Sequence, residues 1–167
     1  MLAFGDWAEG RRVFDFAEGS PGMEARTLLR RLPLRLTAGA YILNSGLSKR
    51  RPDDSTAAAL HGMAAGSYPF LREVKATQFV QMLSTAEIAL GTALLVPVVP
   101  AALAGAGLLA FSAGLVGLYL RTPGMRKPGS LRPTHQGIAL AKDVWLTGIG
   151  ASLLVDGLTE RSGGTPT

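Results

Sequence analysis

Four long apolar stretches, separated by polar segments, dominate the chain. They cover residues 32–49, 79–96, 100–120 and 138–158. The third is the most uniform, with about 20 apolar residues in succession, the length that an α-helix needs to cross the hydrocarbon core of a bilayer. Because it has no polar face around its circumference, a soluble helical bundle is a poor alternative. The pattern predicts an all-α fold, an integral membrane four-helix bundle with short loops.

The segments outside these stretches complete the predicted organisation. Residues 1–27 are predicted to be an N-terminal segment that is amphipathic or partly disordered. Residues 28–158 form the membrane domain, and residues 159–167 a mobile tail. An alanine-rich run after Asp53 and Asp54 predicts a short helix in the first loop, because these side chains favour the start of a helix.

Small residues recur at helical spacing in the last two stretches. Close backbone approach across such residues supplies packing between helices in lipid. The pattern therefore predicts that these positions form the contacts of a tight bundle. They are Ala106, Ala110, Ala113, Gly114 and Gly117 in the third stretch, and Gly148 and Ser152 in the fourth.

Composition supports a membrane protein. Hydrophobic residues make up 47% of the chain and charged residues 17%, against about 25% charged in soluble domains. The net charge is +5, but the arginines flank apolar stretches, which favours membrane lipid over nucleic acid as the partner. No cysteine is present, so disulfides and thiolate metal sites are excluded. The expected location is the cell membrane, with multiple spans.

Charged residues inside the apolar stretches are the main candidates for function or for specific packing. Arg35 and Lys49 are 14 residues apart, and so are Lys142 and Asp156. Each pair spans roughly 21 Å and returns to within about 40° of the same helix face. Because the first and fourth helices of a four-span protein run antiparallel, Arg35 should lie level with Asp156. The two are predicted to form a structural ion pair.

At the opposite end, the same spacing predicts a polar intramembrane cluster. Its candidate members are Glu87, Lys142, Asp143 and Lys49. An unpaired ion in hydrocarbon costs at least about 2.5–3.5 kcal/mol, so pairing inside the bundle is expected. The cluster could contact a quinone, relay a proton or hold the helices in register, and the residues leave these roles open.

Other chemistry is sparse in the sequence. The two histidines lie in separate loops without a second ligand at metal-binding spacing, so no metal site is expected. Phosphate loops, dinucleotide fingerprints and nucleophile elbows are absent from the sequence. Catalytic residues therefore remain unknown, and no cofactor is evident.

The charged residues and glycines, taken in order, resemble the motifs of the DoxX family of small bacterial membrane proteins. The resemblance covers about residues 28–158 and follows three of the four stretches. The first stretch contributes Arg35, Gly39, Gly46 and Lys49, the second Glu87 and Gly91, and the fourth Lys142, Asp143, Ser152 and Asp156.

The resemblance implies a four-helix membrane bundle with cytoplasmic termini. Some DoxX relatives are described as subunits of thiosulfate:quinone oxidoreductase, and others as partners of redox proteins. The expected function is a non-catalytic accessory or anchoring subunit of a membrane redox assembly, with a redox enzyme or respiratory complex as its partner. The alternatives are a quinone-interacting membrane subunit of an oxidoreductase and a small solute carrier. The oligomeric state stays open.

Overall fold

The computed structural model describes the backbone of residues 21–163 and the side chains of residues 26–160. This part of the chain is all-helical, without a named β-strand. The helices are α1 (Pro21–Ser48), α2 (Asp54–Ser67), α3 (Ala76–Leu95), α4 (Ala101–Arg121), α5 (Ile138–Lys142) and α6 (Val144–Gly163), with a 3-10 turn at Pro69–Glu73 between α2 and α3.

Proline sets several of the helix boundaries. Helix α3 ends at Leu95 and α4 begins at Ala101, with Pro97 and Pro100 in the short turn between them. Proline has no backbone N–H and disfavours helical geometry in the residue before it, which explains the stop and the restart. Helix α1 begins earlier than its apolar stretch and carries Pro33 inside. The predicted N-terminal segment therefore overlaps α1, while residues 1–20 lie outside the described residues.

The predicted helix in the first loop is confirmed as α2. Asp53 is its N-cap and accepts a hydrogen bond from the backbone N–H of Thr56 at 2.8 Å. Hydrogen bonds from the Ser55 hydroxyl and from Thr56 lower the pKa of Asp53 to about 2. The aspartate is therefore ionised at neutral pH and satisfies a donor at the helix start.

The fourth apolar stretch is not one continuous helix. Helix α5 ends at Lys142 and α6 begins at Val144, so the chain turns at Asp143. The backbone N–H of Asp143 donates to the carbonyl of Leu140 at 3.2 Å, which is a tighter pattern than that of an α-helix. The turn separates Lys142 from the helix that follows.

The long helices pack in two pairs, α1 against α3 and α4 against α6, while α2 lies against α3. Glycines make the close approaches. A Cβ atom on Gly91 of α3 would lie 2.6 Å from the backbone nitrogen of Leu43 in α1. A Cβ atom on Gly105 of α4 would lie 2.5 Å from the backbone nitrogen of Leu154 in α6. Neither contact leaves room for a side chain.

The small residues predicted to form the contacts of a tight bundle differ in their outcome. Gly114 accepts a hydrogen bond from the Tyr68 hydroxyl and Gly117 lies against the same side chain, whereas four others are exposed. The exposed residues are Ala110, Ala113, Gly148 and Ser152. The contact between α4 and α6 uses Gly105, together with Gly150 and Gly157 of α6. Successive helix residues point about 100° apart, so the predicted stripe that begins at Ala106 lies on a different face of α4 from Gly105.

Two helical segments among the described residues are long and apolar enough to cross a membrane. They are Ala101–Arg121, with a mean hydropathy of 1.9, and Ile138–Glu160, with 1.5. Helices α1 and α3 carry more polar residues and do not meet this criterion. Of the four predicted spans, α4 and the α5–α6 segment therefore have the length and hydropathy that crossing a membrane requires.

Replacing Gly105 with Ala should destabilise the α4–α6 pair by about 1–3 kcal/mol, because the added methyl overlaps backbone that cannot move freely. Gly148→Ala is the matched control, since a Cβ there meets no atom within 4 Å. The control should be neutral or stabilising by up to about 1 kcal/mol. Unfolding followed by circular dichroism in detergent measures both. Equal stability of the two variants would contradict the assigned contact.

Candidate functional site

A buried ion pair joins α1 to α3. The ammonium of Lys49, just after the end of α1, lies 3.1 and 3.0 Å from the two carboxylate oxygens of Glu87. The Ser45 hydroxyl donates to Glu87 Oε1 at 3.2 Å. Glu87 is 4% exposed. Ser45 and Lys49 are four residues apart, which places both on the face of α1 that meets α3.

Tyr41 connects this ion pair to Asp143 at the α5–α6 turn. Its hydroxyl lies 3.5 Å from Asp143 Oδ1, and its ring packs against Trp145 with 5.7 Å between ring centroids. Asp143 is buried and interacts electrostatically with Lys49 and Glu87. One end of the helices thus brings together two carboxylates, one ammonium and one phenol.

The structure assembles three of the four residues of the predicted polar cluster. Glu87, Lys49 and Asp143 lie together, whereas the side chain of Lys142 is exposed and makes no contact with them. Adjacent helix residues point in different directions, and the turn at Asp143 separates the two further. Lys142 is therefore not a member of the cluster, contrary to the prediction.

Two members of the cluster were missed by sequence reasoning. Tyr41 and Ser45 precede Lys49 at intervals of four residues, so the three side chains form one stripe along α1. That spacing is readable in the sequence. The four-residue spacing of Tyr41, Ser45 and Lys49 is the signal that could have identified Tyr41 and Ser45 as members of the cluster.

Close backbone approach holds the ion pair in place. A Cβ atom on Gly46 would lie 2.8 Å from the backbone nitrogen of Ile88 and 2.9 Å from Glu87 Cβ. The buried hydroxyl of Ser84 donates to the Gly46 carbonyl at 2.7 Å. The glycine lets the two helices come close enough for Lys49 and Ser45 to reach the glutamate.

Arg35 fixes the other end of the α1–α3 pair. Its guanidinium donates four hydrogen bonds to backbone carbonyls at the end of α3 and in the following turn. The last carbonyls of a helix have no partners within the helix and carry partial negative charge, which a buried cation satisfies. The acceptors are Ala93 at 2.9 Å, Leu94 at 2.7 Å, Val96 at 2.8 Å and Val99 at 3.0 Å.

The predicted ion pair between Arg35 and Asp156 is wrong. Asp156 pairs instead with Arg30 and Arg31, and Arg31 also binds Glu160 at 2.9 Å. The prediction correctly placed α1 and α6 together at this end. It chose the wrong arginine because α1 extends back to Pro21 and brings two earlier arginines onto α6.

The arrangement is suited to structural pairing and to hydrogen bonding of a polar guest. Lys49 and Tyr41 supply N–H and O–H donors, while Glu87 and Asp143 supply acceptors. In the described part of the chain, no group of three or more His, Cys, Asp or Glu side chains is placed to hold a metal ion. His61, predicted not to be a ligand, hydrogen-bonds the carbonyl of Leu71 at 2.9 Å.

Lys49→Met should destabilise the protein by about 3–5 kcal/mol, because it leaves the carboxylate of Glu87 buried without its cation. The double variant Lys49→Met with Glu87→Gln should recover a large part of this loss, since no unpaired charge remains. Denaturant unfolding in detergent provides the double-mutant cycle.

Lys142→Met is the matched control for this cycle. It removes the lysine that the sequence placed in the cluster and that the structure leaves exposed. Its stability should stay within about 0.5 kcal/mol of the unmodified chain. If Lys142→Met destabilises the protein as much as Lys49→Met, the assigned partners are wrong.

Comparisons of the chain with protein-family models, with curated proteins and with solved structures found no match. The resemblance to the DoxX family stays a prediction based on short motifs. Several of those motif residues have physical roles in the structure: Arg35, Lys49 and Glu87 bind across α1 and α3, and Gly46 and Gly91 let the two backbones approach.

Proposed function

We propose that this chain is a multi-pass membrane protein in which α1, α3, α4 and the α5–α6 segment each cross the bilayer as a four-helix bundle. The observation that carries the proposal is how the charges of α1 and α3 are satisfied. Arg35 binds α3 carbonyls, and Lys49 binds Glu87. Because these groups are paired inside the protein, their desolvation cost in lipid is partly offset.

Within that bundle, a non-catalytic accessory or anchoring role is the function we favour. The charges that link α1 to α3 are committed to partners within the fold: the four hydrogen bonds of Arg35 hold the α3–α4 turn, and Lys49 neutralises Glu87. The resemblance to the DoxX family adds the expectation that the partner is a membrane redox enzyme. We also propose that the chain lies in the cell membrane and that membrane lipid is a further partner.

A quinone-interacting subunit of an oxidoreductase is the second candidate. It is favoured by the cluster in which Tyr41 and Asp143 lie beside the Lys49–Glu87 pair. The Tyr41 hydroxyl and the Lys49 ammonium are donors that a quinone carbonyl oxygen could accept from. A neighbouring carboxylate could take up or release the proton that accompanies quinone reduction.

Four spans make a definite prediction about which loops share a side of the membrane. Because the chain has no cysteine, single cysteines can be introduced at Ala58 in α2, at Val98 in the α3–α4 turn and at Leu131 in the third loop. All three positions are exposed. Ala58→Cys and Leu131→Cys should react with a membrane-impermeant maleimide from the same side, and Val98→Cys from the opposite side.

Sealed vesicles of both orientations are needed for this labelling, with detergent-solubilised protein as the control for reactivity. The result that contradicts four spans is labelling of Val98→Cys from the same side as the other two positions. That pattern would leave α3 and α4 on one side of the bilayer.

The role within an assembly is tested by gentle purification of the tagged chain from native membranes, followed by mass spectrometry of retained proteins and small molecules. An accessory subunit should retain a redox enzyme in fixed ratio, and the double variant Lys49→Met with Glu87→Gln, which leaves no unpaired charge, should leave the activity of that enzyme unchanged. A quinone-interacting subunit should retain quinone, and the same variant should abolish quinone reduction while assembly persists. Isolation of the chain with lipid alone would contradict both candidates.

A further inference from the structure

A cavity of about 160 Å³ opens at the end of the bundle opposite the Lys49–Glu87 pair. It lies between the first half of α1, the α3–α4 turn and the end of α6. Its walls are mostly apolar, with Leu95, Pro97 and Val99 on the side of α3 and the turn. Two arginines of α1, Arg31 and Arg35, provide polar atoms in the wall. The cavity thus combines an apolar surface with cations.

Arg31 has one donor group without a partner. Its Nε donates to Asp156 and its Nη1 to Glu160, but its Nη2 is buried without a hydrogen-bond acceptor. The side chain is 10% exposed. A buried guanidinium nitrogen is normally hydrogen-bonded, so an acceptor oxygen from outside the described protein fits this position. Arg35, by contrast, has each nitrogen bound to a carbonyl.

The charge at this end favours an anion. Arg30 and Arg31 pair with the carboxylates of Asp156 and Glu160. Arg35 binds only backbone carbonyls, so this end carries one positive charge in excess. Glu160 also lines the cavity, but its carboxylate is bound to Arg31 Nη1. A single negative charge at Arg31 Nη2 would neutralise the group.

The apolar wall continues outward along α1. Leu28, Leu32 and Leu36 all line the cavity and are spaced four residues apart, so they form one face of the helix. Each is more than a third exposed, from 37% for Leu32 to 50% for Leu28. From Arg31, Leu32 and Leu36 follow along the helix axis toward the middle of α1, the direction in which an acyl chain would run from its headgroup into the bilayer.

We propose that this cavity binds an anionic phospholipid, with a phosphate oxygen accepting from Arg31 Nη2 and an acyl chain lying along Leu32 and Leu36. The inference rests on the proposed membrane location, because it places this end of α1 at the headgroup level. It adds to that proposal one specific site and the chemical class of the lipid that occupies it.

The test uses the full chain in detergent micelles, supplied with equal amounts of phosphatidylglycerol and phosphatidylcholine and examined by native mass spectrometry. The unmodified protein should retain phosphatidylglycerol about tenfold over phosphatidylcholine, because both lipids offer phosphate oxygens but only phosphatidylglycerol carries the net negative charge that balances the excess cation. Arg31→Gln keeps an N–H donor but removes the positive charge, so it should reduce the preference to near unity.

Arg30→Gln is the matched control, since Arg30 shares Asp156 with Arg31 but is more exposed and does not line this cavity. It should keep the preference. Leu32→Glu provides a variant that leaves Arg31 intact and places a carboxylate at the cavity mouth; it too should abolish the preference. Circular dichroism melting of each variant confirms that the fold is retained.

Several outcomes would overturn the lipid site. Equal loss in Arg30→Gln and Arg31→Gln would indicate diffuse surface charge, and stabilisation by millimolar inorganic phosphate as large as that by the lipid would indicate a site for free anions. Extraction of membranes with alkaline buffer distinguishes the proposed lipid site from the proposed membrane location. A chain that stays in the membrane without lipid preference contradicts the lipid site alone, and a chain that is released contradicts the membrane location.

Discussion

The ion pair between Lys49 and Glu87 is the interaction on which the account of this fold depends. A glutamate that is 4% exposed cannot remain charged without compensation, and two elements of α1 provide it, the ammonium of Lys49 and the hydroxyl of Ser45. Both reach the carboxylate because Gly46 lets the backbones of α1 and α3 approach. Charge pairing and small-residue packing therefore act at the same place, and each requires the other.

At the far end of the same helix pair, Arg35 has a corresponding role with different chemistry. Its guanidinium binds the carbonyls that close α3 and form the α3–α4 turn. Lys49 and Arg35, roughly 21 Å apart along α1, thus fix α3 at two levels. The α4–α6 pair lacks such buried charges at its centre and relies on glycine contacts, in keeping with its higher hydropathy. Both helix pairs pack closely, α1–α3 with buried charges beside its glycines and α4–α6 with glycine contacts.

The sequence predicts the helical stretches to within a few residues, because apolar runs and prolines act locally. It also predicts which charges share a level, since helix geometry fixes the rise per residue. It predicts that Lys49, Glu87 and Asp143 lie together but not the partners of Arg35 and Asp156. The acceptors of Arg35 are backbone carbonyls in the α3–α4 turn, which a search for carboxylates overlooks. The turn at Asp143 excludes Lys142, and no sequence pattern marked that break. The packing face of α4 was missed by one residue.

We propose that α1 and α3, although too polar to be recognised as spans by hydropathy, lie in lipid with their charges paired within the protein. The most direct measurement places a bimane fluorophore on single cysteines at Ala40 of α1 and Ala89 of α3, two exposed positions in mid-helix, in lipid nanodiscs. The account predicts strong quenching by brominated lipid and little by aqueous iodide at both positions. Quenching by iodide with no effect of brominated lipid would contradict it.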